Sequence, residues 1–117
     1  MDIKLILIAT IFTTLPCLAK GISTDKQNNL ESFALSHCLA QGLSESNAKK
    51  EANAAAGAYI ELGNYPAEAY EETSALVKHF LSKKYESKAG NVELTVMKCI
   101  DLSHSAELEA IEEKYRN

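Results

Sequence analysis

The pair Cys38 and Cys99 constrains this chain more than any other feature. The two lie in Ser36-His37-Cys38-Leu39-Ala40 and Val96-Met97-Lys98-Cys99-Ile100-Asp101-Leu102, towards opposite ends of the sequence. A third cysteine, Cys17, falls in a leader-like segment. There Lys4 supplies a short positive start weakened by Asp2, and residues 5–15 form an apolar run too short to cross a bilayer as a helix. Pro16-Cys17-Leu18-Ala19 follows, with a breaker and small residues where a signal peptidase reads. The pattern predicts a signal peptide over residues 1–19, cut after Ala19, and one domain over 20–117. A lipid-modified Cys17 would need a small residue such as Gly or Ala before it, and Pro16 is a poor fit, so soluble export is the preferred reading. Cleavage would leave two cysteines, and an exported protein with two cysteines ordinarily bridges them. A Cys38–Cys99 bond closes a loop of about 60 residues, worth roughly 4 kcal/mol by the chain-entropy argument. That is a large contribution in a domain this short, whose core alone is only modestly stabilising.

The formal net charge is −4, and the predicted cut leaves it unchanged because the leader carries one Asp and one Lys. A mildly acidic chain argues against nucleic acid, whose binders carry basic patches. It suits a basic protein partner.

The periodicity is helical throughout, with no strand-period segment, internal repeat or low-complexity tract. From Asp25 a first stripe runs through Leu30, Ala34, His37, Cys38 and Gln41, widened by Phe33, Leu35 and Leu39, and Gly42 is expected to end it as a left-handed cap. Ser44 or Ser46 is a candidate cap for a second helix, with Glu45 in its first turn. The second stripe is Ala48, Ala52, Ala55, Ala56 and Tyr59, and its small residues, with Gly57, predict a central helix approached closely by a neighbour. Gly63-Asn64 stops it. Pro66 opens a third helix with Glu68, Glu71 and Glu72 in its early turns and a buried stripe of Ala69, Thr73, Leu76, Val77, Phe80 and Leu81, with Tyr85 near its end. After an exposed loop over residues 87–91, Asn91 is expected to cap a fourth helix buried through Val92, Val96, Cys99, Ile100 and Leu102. Ser103-His104-Ser105 marks a restart, and a fifth helix runs through Leu108, Ile111 and Tyr115 with Glu107, Glu109, Glu112 and Glu113 facing water. The fold class is therefore all-α, a single small bundle of about five helices tied by one disulfide.

Catalysis finds little support. A Cys–His enzyme needs a thiolate within hydrogen-bond reach of an imidazole, yet His37 and Cys38, adjacent on a helix, point about a hundred degrees apart. Glu72 and His79 share a face with no second histidine, short of a metal site. No phosphate-binding glycine loop or nucleophile elbow is present. The most suggestive surface is acidic and aromatic: Glu68, Tyr70, Glu71 and Glu72 could meet a basic partner and speed encounter, or simply suit a helix N-terminus. Tyr65, Tyr70 and Tyr85 are candidate interface anchors or core-edge residues.

Taken together, several stretches resemble a known family. Ser36-His37-Cys38-Leu39-Ala40, Ala54-Ala55-Ala56-Gly57-Ala58-Tyr59, Gly63-Asn64, and Met97-Lys98-Cys99-Ile100-Asp101-Leu102 followed by His104-Ser105 and Glu107-Leu108 resemble, in order and spacing, the type VI secretion amidase immunity proteins (the Tai group). The resemblance extends from about Asn29 to Tyr115. It implies a periplasmic, all-helical, non-enzymatic inhibitor that binds a cognate peptidoglycan amidase and blocks its Cys–His active site. It also implies a homodimer engaging two effectors, and no cofactor, nucleic acid or, after signal cleavage, membrane. In the family picture a third-helix surface of one subunit and a protruding loop of the other reach the enzyme cleft. By element order these map to Glu68, Tyr70, Glu71 and Glu72, and to Ser87, Lys88 and Asn91. Two readings stand against it: a periplasmic helical adaptor or ligand-binding module without a toxin partner, and a small hydrolase using His104 or a metal.

Overall fold

The structure, a computed structural model, describes residues 26–116; the leader and its cut after Ala19 lie outside them. Five helices follow in order: α1 (Lys26–Gly42), α2 (Ser46–Leu62), α3 (Ala67–Ser82), α4 (Thr95–Ser103) and α5 (Ala106–Lys114). No strand occurs among the described residues. The all-α expectation and the disulfide both hold. Cys38 and Cys99 are bonded, with Cα atoms 5.5 Å apart across a sequence separation of 61.

The hub is α1, which packs against all four other helices. Its stripe Leu30, Phe33, Ala34 and Cys38 meets Ala56 of α2, Val77 and Phe80 of α3, Cys99 and Leu102 of α4, and Leu108 of α5. Removing these side chains from water is the main favourable term. Gln41, expected on that stripe, is exposed. The second helix is not central: α2 lies on α1, and Ala56 is its one buried residue. Alanine is both small and the best helix former, so an alanine-rich face looks the same whether a neighbour covers it or water does.

Glycine positions changed meaning. Gly42 remains helical, and the positive-φ glycine of the described residues is Gly90 in the loop. A Cβ on Gly42 would stand 2.8 Å from a Leu81 methyl and collide with the methyl of Thr95. Gly42 therefore lets the end of α1 touch α3 and α4 rather than forming a left-handed cap. Gly57 shows the reverse: it is exposed and its missing side chain would meet nothing within 4 Å, so the close approach expected there is absent from the described chain.

Local polar groups finish the helix ends. Glu45, not a serine, caps α2, its carboxylate accepting from the N–H groups of Ala48 (2.6 Å) and Asn47 (3.0 Å). Those bonds hold its carboxyl below the usual carboxylate range. Ser105 caps α5, accepting from the Leu108 N–H at 3.2 Å while its hydroxyl donates to the Leu102 carbonyl at 2.7 Å, which fixes the corner between α4 and α5. Lys98 donates to the carbonyl of Leu81 at the end of α3. Asn91 caps nothing on α4: that helix begins at Thr95 behind Leu94, and an N-cap side chain reaches only the amides two or three residues on.

The fourth helix buries only part of its apolar stripe: Cys99 and Leu102 face inward as expected, and Val92, Val96 and Ile100 do not. Thr95, Cys99, Leu102 and Ser103 are buried, while Val92, Val96, Met97 and Ile100 are each about half exposed. The disulfide determines this, because Cys99 must meet Cys38 on the hub and the rest of α4 rotates to suit. Thr95 fits there because Gly42 leaves room for its methyl group. In α5, Glu112 is buried instead of facing water. It lies four residues after the buried Leu108, so helical period places it inward whatever its charge.

Candidate partner-binding surface

The early turns of α3 do not form one acidic patch. Helical geometry spreads residues 68–72 over more than a full turn, and their neighbours separate them further. Glu68 and Glu71 are exposed. Glu72 turns to the C-terminal helix, where its carboxylate accepts from Lys114 Nζ and Tyr115 Oη, both at 2.6 Å. The bond from Lys114, then that from Tyr115, holds the Glu72 carboxyl below its usual range and pushes the Lys114 ammonium up. Glu72 is thus occupied in tying α3 to α5, a role its position in the sequence did not reveal.

Tyr70 turns the other way, towards α1 and α2. Its ring stands edge-on to Phe33 at 5.0 Å, and Tyr65 stands edge-on to it at 6.2 Å. Burial pushes its phenol up, against a lowering effect of the Tyr65 backbone. Phe33 also stacks on His37, with ring centroids 5.3 Å apart and planes 10° from parallel. His37 is held below the ordinary histidine value, first by burial and then by the charge of Lys78.

Phe33, His37 and Tyr70 line an open groove of about 580 Å³ between α2 and α3. Asn53, Gly57 and Ile60 form its α2 wall, and Glu71, Ser74 and Lys78 its α3 wall. Tyr70 and Glu71 therefore line one groove together with residues of α1 and α2.

The loop residues lie elsewhere. Ser87, Lys88 and Asn91 follow the C-terminal end of α3, whereas Tyr70 and Glu71 are near its start, about 17 Å away along the axis at helical rise. The Ser87 hydroxyl accepts from the Ala89 N–H at 3.1 Å and shapes the turn before Gly90. Ser87 and Asn91 line a cleft with Lys83, Tyr85 and Lys98. Tyr85 donates to Asp101 at 2.6 Å, a bond to a carboxylate that pushes its phenol up. Beside this cleft, Val96, Met97 and Ile100 join Leu43 and Leu94 around a second opening of about 1010 Å³.

The Cys–His alternative loses its thiol in this geometry. Both cysteine sulfurs of the described residues are joined to each other, so neither is a thiol for a histidine to activate. His104 lies on the surface with Nδ1 3.6 Å from a Glu31 carboxylate oxygen. Among the described residues no group of three potential metal ligands comes together, and no helix is long and apolar enough to cross a membrane.

The comparisons with known proteins bear on this surface. Residues 28–112 match the model of the family Tai4, described as "Type VI secretion system (T6SS), amidase immunity protein". The chain belongs to that family. A solved structure of the effector–immunity system Tae4/Tai4 from Salmonella typhimurium contains a similar chain, 33% identical with a TM-score of 0.73, over 79% of this chain and 90% of the other. The Tae4–Tai4 complex from Enterobacter cloacae contains one at 22% identity and TM-score 0.69, over 85% and 97% of the two chains. A third, at 22% and 0.68 over 85% and 98%, comes from a complex between the Salmonella typhimurium effector Tae4 and the Enterobacter cloacae immunity protein Tai4. No match was found among curated proteins. As an amidase immunity protein, the chain binds an effector enzyme through its surface. The family match decides against the adaptor without a toxin partner.

Proposed function

We propose that this immunity protein acts in the periplasm, after cleavage of residues 1–19, by physically occluding the active site of a peptidoglycan amidase, and that it performs no catalysis itself. The observation that carries the reading is the family match, which spans the bundle from α1 into α5. Occlusion needs no cofactor, since an interface of standard size excludes substrate by bulk. Support for export comes from the leader pattern and from the disulfide, which suits an oxidising compartment.

The contact surface proposed is Glu68, Tyr70 and Glu71 on α3 with Ser87, Lys88 and Asn91 on the loop. Glu72 contributes indirectly, by holding α3 to α5. Because the two parts sit at opposite ends of α3 on one chain, a homodimer offers a way to bring the α3 face of one copy near the loop of the other. The exposed stripe Val92, Val96, Met97 and Ile100 is the proposed self-association face. It is apolar, as permanent interfaces between copies tend to be.

The test is an inhibition assay with the purified Tae4 effector of Salmonella typhimurium acting on peptidoglycan. The mature chain is expected to abolish hydrolysis at stoichiometric ratio. Glu68→Lys/Glu71→Lys is expected to raise the inhibitory concentration at least tenfold with an unchanged melting temperature. Undiminished amidase activity, or hydrolysis by the mature chain alone, would overturn the reading.

A further inference from the structure

The α2–α3 groove contains a residue that nothing inside the described chain explains. Gly57 lies in the interior of a 17-residue helix, where glycine costs about 1 kcal/mol relative to alanine. Its φ is not positive, so the backbone does not require glycine. No neighbour stands within 4 Å of the missing Cβ, so internal packing does not require it either. Alanine occupies positions 54, 55, 56 and 58 around it. The effect of glycine here is to leave the α2 wall of the groove without a side chain at this position.

The surrounding groups indicate what enters. Phe33, His37 and Tyr70 form a stacked and edge-on cluster held by the core, a rigid apolar surface ready for a side chain. Ile60, 44% exposed, extends that surface up the α2 wall. Glu71 stands at one end of the α3 wall and continues into the exposed carboxylate of Glu68, while Lys78 stands two turns further on. The Glu71 end therefore favours a cation next to the apolar contact. A second copy of this chain is a poor occupant on charge, since each copy is already acidic at −4.

We propose that the groove receives a segment of the amidase effector carrying an apolar side chain flanked by a basic one, and that Gly57 is glycine so that this segment's backbone can approach α2. The apolar side chain rests on Phe33, His37 and Tyr70, and the basic one pairs with Glu71. The inference rests on the immunity reading above and deepens it by extending the effector-binding surface from α3 onto α1 and α2.

Gly57→Leu and Ala58→Leu provide the test, because they add the same bulk one position apart, about a hundred degrees around the helix. Both positions are exposed and leucine is a good helix former, so both variants are expected to melt at or above the temperature of the unmodified chain. Affinity is measured by calorimetry against the Salmonella typhimurium effector Tae4. The expected result is at least a tenfold loss for Gly57→Leu, a severalfold loss for Ile60→Ser, and no change for Ala58→Leu. Tae4 binding by the unmodified chain is the control: its absence overturns the immunity reading for this effector and the inference with it. If the unmodified chain binds and Gly57→Leu binds equally well, the inference alone is overturned. A Gly57→Leu variant that changes self-association and not effector affinity would assign the groove to a second copy, which also overturns it. Should Gly57→Leu fail to fold, Ile60→Ser decides, and unchanged affinity there overturns the proposal.

Discussion

The third and fourth helices reach the surface of this bundle by opposite routes. In α3 the apolar residues face inward and the charged ones outward: Ala69, Val77 and Phe80 are buried while Glu68, Glu71 and Lys78 are exposed. Burial of its own apolar face holds that helix, as in any amphipathic surface helix. In α4 the inward face includes Thr95 and Ser103, and the apolar Val96, Met97 and Ile100 point out. A helix of nine residues has little stability by itself, and this one is held by Cys99 and Leu102 on the hub. The difference teaches that a covalent attachment can replace part of an apolar face, leaving the remaining apolar side chains free for another molecule.

The largest expected effect removes that attachment. Cys38→Ala/Cys99→Ala is expected to destabilise the protein by about 2–5 kcal/mol in urea titration. Hydrogen exchange would sharpen the contrast, since amides of α4 are expected to lose more protection than those of α3 in the alanine variant. Equal loss in both helices would mean that α4 is held by packing just as α3 is. Next in size is the apolar stripe itself. Val96→Glu/Ile100→Glu is expected to convert the proposed dimer to monomer in sedimentation, with a melting temperature within a few degrees of the unmodified chain because both side chains already meet water. Unchanged sedimentation would show that the stripe is not the self-association face.

The smallest effect concerns how α3 is fastened. The Glu72 carboxyl is depressed by Lys114 and Tyr115, so the folded state binds that proton less readily than the unfolded chain does. Its contribution is therefore complete above the ordinary glutamate value of about 4.3 and is lost as pH falls through the lower folded value. The melting temperature of Glu72→Gln is expected to lie slightly below that of the unmodified chain at neutral pH and to converge with it in acid. The gap should be small, because both partners are partly exposed and water screens the pair. A constant gap across the acid range would mean that packing, rather than charge, accounts for the role of Glu72.

How much of the fold was legible depended on whether one residue type carried one meaning. The α3 stripe could be read because apolar period and burial coincide there. Gly42 and Gly57 could not, because glycine serves close approach, backbone freedom or an open surface, and only neighbours distinguish these. Gly42 proved to be the close approach and Gly57 the open wall. Of the candidate site, Tyr70 and Glu71 were legible from composition on one helix. Phe33, His37 and Ile60 were not, since they lie on two other helices and join the site only when α1, α2 and α3 pack.

By itself the sequence determined the helical class, the five segments, the cysteine pair that ties the chain together, and the family resemblance. These rest on local period and on residue types whose chemistry allows few alternatives. Tertiary structure alone decided that α1 rather than α2 is the hub, that α4 leaves Val96, Met97 and Ile100 outward, and that Glu72 faces α5 while Tyr70 faces the groove. Each of those is a choice of direction around a helix axis. A periodic pattern defines faces, but only contact with the rest of the chain decides which face turns inward.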